Sequence, residues 1–222
     1  MLVSEAVAQR SSIRAFEDKP VATELLIDLI SKAARSPSGG NVQPWRIYLV
    51  NDEAMVRCKA HCQISAQVDA PAEAPAYDIY PAGLTEPYRS SRFKVGEDMY
   101  ALLGISRENK GKRIARLMEN YQFFGAPAGF FCFVDRQMGP PQWSDLGMYL
   151  QTFMLLAEEA GLSTCAQEAW ATRPDTVRSF VQAPEELMLF CGMAIGYKDN
   201  NAPVNQLVSD RAPFDQFATV VD

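Results

Sequence analysis

Apolar residues recur at the spacing of an amphipathic helix in two long segments. The first is predicted to begin with Thr23 as its N-cap and to end near Ser36, because Pro37 disfavours helical geometry in the residue before it. The second runs from Trp143 to Ala160, and Gly161 is placed to terminate it. Their apolar stripes are Leu25, Leu26, Leu29, Ile30 and Ala33, and Leu146, Leu150, Phe153, Met154 and Ala157. Each helix therefore has one face to bury.

The remaining pattern divides into further helices and short strands. Helices are predicted at 3–9, 51–64, 95–103, 107–121 and 174–181. Strands are predicted at 45–50, 128–134, 163–166 and 187–197, where apolar residues cluster in short runs between turn signals. Helices and strands do not alternate strictly, as a doubly wound sheet would require, so the pattern favours an α+β fold.

Residues 69–92 interrupt this pattern. They are rich in Pro, Ala, Tyr and Ser and have no clear period, and long irregular segments inside compact domains are usually functional or mobile. The helical pattern resumes at about residue 95. A chain of 222 residues is long enough for one substantial core. We therefore expect a single domain, residues 1–222, with a lid or insertion at about 69–95.

Composition and charge argue against nucleic acid and membranes as binding partners. The formal net charge is −6, and an acidic chain without a basic block binds nucleic acid poorly, because phosphate neutralisation needs clustered Lys and Arg. The basic stretch 107–116 includes Glu108 and is typical of a solvated helix face. No signal peptide is recognisable, and no segment approaches the roughly 20 apolar residues of a membrane span. We expect a cytoplasmic protein without nucleic-acid or membrane partners.

Cysteine and histidine usage limits the chemistry further. Five cysteines at irregular spacing favour reduced thiols over a disulfide framework. Cys58, His61 and Cys62 lie close together, but a zinc site needs three or four protein ligands, so an ordinary helical role is favoured and no metal is expected. His61 is the single histidine, and a Ser-His-Asp or Cys-His hydrolase would have to use it.

Polar segments at helix ends are the candidates for ligand binding. Within Arg10–Arg14, alternate residues of an extended chain point to one side, so two guanidinium groups and a hydroxyl can converge on an anion. A solvated surface is the alternative explanation. Arg211 adds to this segment only if the C-terminal tail folds back onto it.

The segment Pro37–Trp45 (PSGGNVQPW) is the second candidate. Its paired glycines would let the backbone approach a flat ligand closely, or would form an ordinary tight loop. Neither a Gly-x-Gly-x-x-Gly turn nor a Gly-x-x-x-x-Gly-Lys-Ser/Thr loop is present, which argues against a Rossmann dinucleotide site and a P-loop. Side chains would have to hold the phosphate of any nucleotide-like cofactor.

Together these segments resemble the nitroreductase family of flavoproteins along nearly the whole chain. The motifs, in chain order, are Arg10–Phe16, similar to the family's phosphate motif, Pro37–Trp45, Gln167–Trp170 over the flavin ring, Gly192-x-x-x-Gly196-Tyr197 in a late strand, and Arg211-Ala212-Pro213. The long aromatic segment 77–92 resembles that of members acting on nitroaromatics such as nitrobenzoates. The resemblance implies a nitroreductase-like α+β fold, with a central mixed or antiparallel sheet flanked by helices, in an intertwined homodimer.

The resemblance also implies FMN sites at the subunit interface. Arg10, Ser12 and Arg211 would hold the phosphate, and Arg14 would reach the ribityl chain or the N1–O2 edge of the flavin. The backbone of Glu168 and Ala169 would meet N5 and O4. The full set of implied cofactor-binding residues is Arg10, Ser11, Ser12, Arg14, Pro37, Ser38, Gly39, Asn41, Gln43, Glu168, Ala169 and Arg211. Pro37, Ser38, Gly39 and Asn41 would come from the other subunit.

Some positions are assigned less directly. Tyr80, Tyr88, Phe124 and Trp170 are the predicted liners of a substrate pocket, with packing in the core or lid as the alternative for each. Ala166 stands where many relatives carry proline. Ser209 stands near a position that is often basic, which would place more of the phosphate binding on Arg10 and Arg211. The middle helices offer Arg113, Arg116 and Asn120 as candidates for the pyrimidine edge.

The implied activity is that of an NAD(P)H oxidoreductase reducing nitroaromatics or quinones by a ping-pong mechanism. Flavin N5 would carry the hydride, so no acid–base side chain is required. Reductive dehalogenation, ene reduction and flavin destruction on the same scaffold are alternatives, and so is a flavin-binding protein without catalysis. A hydrolase would instead be colourless and would depend on His61.

Overall fold

The computed structural model describes residues 1–65 and 72–221, with only the backbone described at 64 and 65. The helices are α1 (Val3–Gln9), α2 (Thr23–Ala33), α3 (Asp52–Ser65), α4 (Tyr88–Leu102), α5 (Lys110–Met118), α6 (Pro140–Glu159), α7 (Pro174–Val181) and α8 (Phe214–Phe217). The strands are β1 (Arg46–Val50), β2 (Ala128–Asp135), β3 (Ser163–Gln167) and β4 (Leu187–Gly196). Short 3-10 turns occupy Gly39–Asn41, Glu119–Gly125, Glu168–Thr172 and Pro203–Gln206.

The described strands form one antiparallel sheet in the order β1-β2-β4-β3. A parallel bridge between Ser12 and Thr164 joins the N-terminal segment to β3. The predicted α+β class with a central sheet is therefore confirmed. No helix of the described residues is long and apolar enough to cross a membrane.

Both faces of the sheet are covered, and the inner strand β2 is apolar on both sides. Phe130, Cys132 and Val134 pack in a cluster with residues of α2 and α6. Phe131 and Phe133 point to the other face and pack in a second cluster with residues of α3 and α7. Successive residues of a strand point to opposite faces, so an apolar run without alternation is what an inner strand with two covered faces requires.

Most predicted elements are confirmed, and the differences have local causes. Thr23 is the first residue of α2 and not its N-cap: its hydroxyl contacts the Asp52 carboxylate at 3.2 Å and the Asn51 amide at 3.0 Å. Helix α6 begins three residues before the predicted start, at Pro140, whose fixed φ suits the first helical turn. The predicted helix 107–121 shortens to Lys110–Met118 and continues as a 3-10 turn.

The predicted lid is partly helical, which the sequence pattern did not indicate. Helix α4 begins at Tyr88, so the prediction that the irregular stretch continues to residue 92 and that the helix begins at about 95 is wrong. Residues 69–71 of that prediction lie outside the described part of the chain. The described residues 72–87 are anchored to the rest of the fold: the Ala76 amide donates to the Ala171 carbonyl at 2.7 Å, and the Glu73 carboxylate accepts from the Asp175 amide at 2.7 Å.

Gly192 in β4 makes room for the largest side chain of the core. Trp170 is fully buried, and a Cβ at Gly192 would overlap Cδ1 and Nε1 of its indole ring. The same ring packs against Phe123 and Phe131, with centroid distances of 4.9 and 5.0 Å. Glycine at 192 is therefore a packing requirement of the sheet face below the Glu168–Thr172 turn.

Gly192→Ala should lower the free energy of unfolding by about 1–3 kcal/mol, because the added methyl overpacks the Trp170 site. Thermal unfolding followed by circular dichroism measures this loss. Gly111→Ala in α5 is the matched control, since nothing lies within 4 Å of a Cβ at that position. The control should unfold at or slightly above the wild-type temperature. Equal melting temperatures for the two variants would contradict the packing role of Gly192.

Candidate functional site

The Arg10–Arg14 segment and the C-terminal tail line one cavity of about 690 Å³. Arg10, Arg14 and Arg211 all contribute to its wall, together with Ser11 and Ser12. Among the residues that the structure describes, none of these three guanidinium groups has a carboxylate within 4.0 Å. Unpaired planar cations gathered around one cavity are suited to a bidentate anion such as a phosphate.

Backbone pairing and a buried amide hold this segment in place. The Ile13 amide donates to the Thr164 carbonyl at 2.9 Å, beside the Ser12–Thr164 bridge. Asn205 is 5% exposed, accepts from the Arg14 amide at 2.8 Å and donates to the Ala15 carbonyl at 2.7 Å. Asn205 was not predicted as a site residue, because its role depends on the tail returning to the N-terminal segment.

Arg116 on α5 lies beside Arg14. Its Nη2 donates to the Arg14 carbonyl oxygen at 2.8 Å, and its guanidinium lies over the Phe124 ring, 5.1 Å from the centroid. Burial lowers the pKa of Arg116, and its Nε is buried without a hydrogen-bond partner among the described residues. Buried polar atoms without a partner are rare in folded proteins, so this nitrogen marks Arg116 as a candidate for a role beyond packing.

The other two candidates from the middle helices are already engaged. Arg113 forms a bidentate ion pair with Glu97 at 2.5 and 2.9 Å. Asn120 accepts from the Gln167 side chain at its backbone oxygen, 2.8 Å away. Of the three, Arg116 is the residue that lies next to Arg14 and has a donor without a partner among the described residues.

The segment Pro37–Trp45 forms a strained turn. Positive φ angles of 57°, 57° and 48° occur at Gly40, Asn41 and Gln43. Left-handed backbone at residues other than glycine costs roughly 1–3 kcal/mol and persists only where the surroundings fix it. The Ser38 hydroxyl accepts from the Gln43 amide at 3.0 Å, which closes the turn. Residues 37–43 do not contribute to the described wall of the Arg10 cavity.

One face of α6 holds this turn. Asp145 is 4% exposed, and its Oδ2 accepts from the Gly39 amide at 3.2 Å. Tyr149 stacks on Trp45 with centroids 5.0 Å apart, and Thr152 lies 2.8 Å from the Ser36 hydroxyl. Residues 145, 149 and 152 share one face of α6. This face therefore contacts the segment at Ser36 just before it, at Gly39 in the turn and at Trp45 at its end. Asp145 was not predicted; a lone Asp in an apolar helix gave no signal of its partner.

A buried polar network supports the Glu168–Thr172 turn. Gln167 is 2% exposed; its amide donates to Asn120, and its oxygen accepts from the Trp170 indole at 3.3 Å. The Thr172 hydroxyl lies 2.7 Å from the Tyr121 hydroxyl. Burial raises the pKa of Glu168, while Ala169 stays partly exposed. The first amides of such a turn have no acceptor within it, so they are available to a ligand.

The predicted aromatic liners separate into exposed and buried residues. Tyr80 and Tyr88 are 45% and 65% exposed, and the Arg92 guanidinium lies 3.8 Å from the Tyr80 ring centroid. Phe124, in contrast, is buried, with 6% of its surface exposed. Trp170 is fully buried and packs against β4 at Gly192. The prediction that Trp170 lines a substrate pocket is therefore wrong. The reason is the sheet register, which the sequence alone does not give.

The described cysteines and the histidine are structural. All five cysteines are buried and free of disulfides, and burial raises the pKa of Cys132 to about 12. Hydrogen bonding to Cys62 raises the pKa of Cys58, so these groups are thiols and poor nucleophiles. His61 Nε2 lies 3.1 Å from the Thr176 carbonyl and joins α3 to α7. No cluster of three or more metal-ligating side chains occurs in residues 1–65 and 72–221.

Known sequences related to this chain match it over nearly its full length. A nitrobenzene nitroreductase from Ectopseudomonas oleovorans is 30% identical over 219 residues, which are 99% of this chain and 96% of the relative. A 4-nitrobenzoate reductase from Pseudomonas putida is 35% identical over 201 residues, or 90% of this chain and 87% of the relative.

Solved structures agree with this relationship. The FMN and NADPH-dependent nitroreductase NfnB from Sphigopyxis sp. strain HMH has a TM-score of 0.96 and 44% identity, with 100% of both chains covered. The FMN-dependent nitroreductase NfnB from Mycobacterium smegmatis, solved in complex with NADPH, has a TM-score of 0.93 and 25% identity over 99% of this chain and 98% of that chain. The model of the nitroreductase family matches residues 7–197, and this chain belongs to the nitroreductase family.

Proposed function

We propose that the protein is an FMN-dependent oxidoreductase that uses NAD(P)H to reduce nitroaromatic compounds or quinones. The observation that carries the proposal is the cavity lined by Arg10, Arg14 and Arg211, whose guanidinium groups have no carboxylate of the described residues within 4.0 Å. Relatives with the same fold are named for FMN, NADPH, nitrobenzene and 4-nitrobenzoate. These names supply the substrate class of the proposal.

The residues around the cavity fit FMN. Arg10, Ser12 and Arg211 would hold the phosphate, with Ser11 at the same wall, since charged hydrogen bonds to phosphate need several donors and no competing carboxylate. Arg14 would face the ribityl chain or the pyrimidine edge. The unpartnered Nε of Arg116 next to Arg14 supports a second donor there. Gln43 and the turn before it would complete the site.

When bound, FMN supplies hydride transfer between NAD(P)H and the acceptor. The protein supplies position and electrostatics. Arg14 and Arg116 would place positive charge near the part of the cofactor where negative charge develops during reduction. The backbone amides of Glu168 and Ala169 would donate to the N5–O4 region, on a turn that the hydrogen bond between Trp170 and Gln167 holds in place. We propose a ping-pong cycle, with NAD(P)H and acceptor using the same open face in turn.

The acceptor would bind under the segment 72–102. Tyr80 and Tyr88 expose aromatic surface suited to stacking on a nitroaromatic ring. Phe124 would contribute an edge beside Arg116. A reductive dehalogenase or ene reductase has no separate support in these contacts.

The protein is proposed to work as a homodimer, with Pro37, Ser38, Gly39 and Asn41 completing the site of the partner. Two features support this. The strained turn at 39–43 is held in place by α6 but does not line the arginine cavity of its own chain, so its fixed shape would serve a neighbouring chain. Large apolar side chains are also exposed at both termini, and clustered exposed apolar surface indicates a protein interface. They are Leu2, Val3, Val7, Phe214, Phe217, Val220 and Val221.

We also propose that the enzyme works in the cytoplasm. The support is the set of five buried cysteines, all of them free thiols, since reduced thiols persist in a reducing compartment.

Purified protein reconstituted with FMN should absorb in the blue and oxidise NAD(P)H when a nitroaromatic is added. Initial rates at several acceptor concentrations should give parallel double-reciprocal lines, the signature of a ping-pong mechanism. A yellow protein without turnover would support a flavin-binding protein instead. A colourless protein that FMN cannot reconstitute would refute the proposal as a whole.

Arg10→Ala should weaken FMN binding by roughly 1.5–3 kcal/mol, the value of a hydrogen bond to a charged group. Quenching of flavin fluorescence on titration with apoprotein measures the dissociation constant. Arg57→Ala is the matched control, because Arg57 is an exposed arginine on α3 whose ion pair with Glu53 is 3.7 Å long. The control should bind FMN as the wild type does. Unchanged affinity in Arg10→Ala would count against the phosphate assignment.

Mixed dimers test whether the site is shared between chains. One chain of the mixed dimer carries Arg10→Ala, and the other carries Ser38→Ala and Asn41→Gly. Glycine is chosen at position 41 because it tolerates the positive φ of that residue. Each parent should bind FMN weakly. In a mixed dimer one site then receives both defects and the other receives neither, so about half of the sites should regain wild-type affinity. If both groups belonged to one chain, every site would carry a defect and tight binding would not return.

A further inference from the structure

The tail segment that carries Arg211 is held to the fold by few interactions. Residues 207–213 are here called the strap. The described backbone hydrogen bonds of the strap run from the Leu207 amide to the Val204 carbonyl at 3.4 Å and from the Gln216 amide to the Pro213 carbonyl at 3.0 Å, so both join it only to its immediate neighbours in the chain. Every strap residue from 208 to 213 is exposed. Segments with few buried contacts and few hydrogen bonds open most readily.

The guanidinium of Arg211 is fixed to the strap itself. Its Nη1 donates to the Ser209 hydroxyl at 2.7 Å, to the Ser209 carbonyl at 3.1 Å and to the Asp210 carbonyl at 2.8 Å. Ser209 thus orients the arginine. The position of this cation at the cavity therefore depends on where the strap as a whole lies.

A single ion pair ties the strap to α4. Lys94 Nζ lies 2.9 Å from Asp210 Oδ2 and 2.7 Å from Asp98 Oδ2. Within residues 1–65 and 72–221, no other ion pair links the strap to another element. A second cavity of about 470 Å³ separates α4 from residues 209–216 and shares Val95, Ser209 and Arg211 with the first. At this place a cavity and the Lys94–Asp210 ion pair lie between the strap and α4.

We propose that Lys94 and Asp210 form a clasp that keeps Arg211 at the phosphate of bound FMN and slows release of the cofactor. Lys94 and Asp210 are positioning residues: they act on the phosphate through Arg211 and do not touch it. The inference rests on the proposed FMN site. It adds that cofactor exchange requires the strap to open.

The size of the effect follows from exposure. The side chains of Lys94 and Asp210 are 57% and 70% exposed, and exposed ion pairs are weak. We expect loss of the clasp to raise the rate of FMN release about two- to fivefold. The equilibrium fraction of open strap should rise by the same factor.

The direction of the effect separates a clasp from a simple electrostatic field. Asp210→Lys adds two positive charges near a phosphate site, so a field effect alone would bind FMN more tightly. The clasp predicts the opposite, because Lys94 and the new lysine repel each other and the strap opens. Lys94→Asp should also speed release. The double swap Lys94→Asp with Asp210→Lys restores an ion pair and should return the rate to within about twofold of the wild type.

The matched control is the ion pair between Asp28 and Lys32 on α2. It is similarly exposed, at 50% and 59%, but lies within one helix and joins no two elements. The swap Asp28→Lys with Lys32→Asp, and each single change, should leave FMN release unchanged. Release is measured on the holoenzyme by the rise in flavin fluorescence after dilution, with melting temperatures recorded for every variant.

Faster release in Asp210→Lys that the double swap reverses supports the clasp. Release at or below the wild-type rate in Asp210→Lys overturns it, as does a double swap that releases as fast as Asp210→Lys. If Asp210→Lys does not fold, Asp210→Asn takes its place, with the same expected direction and a smaller size. If the wild-type protein does not bind FMN, the proposed function itself is refuted. If the wild type binds FMN but the Lys94 and Asp210 variants release it at the wild-type rate, only the clasp is refuted.

Discussion

Gathering several guanidinium groups around one cavity is the constraint on which the site depends. Like charges repel, and no carboxylate of the described residues within 4.0 Å relieves Arg10, Arg14 or Arg211. The scaffold must therefore hold them by other means. It does so with backbone pairing to β3, with the buried amide of Asn205 and, for Arg211, with the strap. The arginines repel one another in the empty cavity and would be stabilised by a bound anion. A site that is preorganised in this way has a lower cost of binding.

The core below the site serves this purpose through rigidity more than through chemistry. Trp170 fills the space left by Gly192 and bonds to Gln167, so the turn that follows β3 cannot shift without disturbing a packed face of the sheet. On the other face, α6 presents Asp145, Tyr149 and Thr152 to the strained turn at Gly40 and Asn41. Each flexible binding segment is thus fastened to a buried element. The strap is different, since one exposed ion pair ties it to α4.

Much of the fold could be predicted from local patterns. The apolar stripe of α2, the continuous apolar run of β2 and the glycine after α6 each act within a few residues, so helical period, strand burial and helix termination are readable without a neighbour. Predictions failed where the deciding partner is remote. Thr23 resembles an N-cap, but Asn51 and Asp52 draw its hydroxyl away. Trp170 resembles a pocket residue, but the register of β4 places Gly192 beneath it.

The sequence by itself determined the residue types of the site and their order: arginines near both termini, a glycine pair after the second helix and no Rossmann or P-loop motif. The tertiary structure decided which of them meet. It brought Arg211 to Arg10 across about two hundred residues and paired Arg113 with Glu97, while Arg116 lies beside Arg14 with an Nε that has no partner among the described residues. It also fastened Gly39 to Asp145 and Arg14 to Asn205. The physical reason is that side-chain chemistry is a local property of the chain. Burial, like-charge proximity and unpaired donors are properties of contacts between distant segments, and only the folded chain makes those contacts.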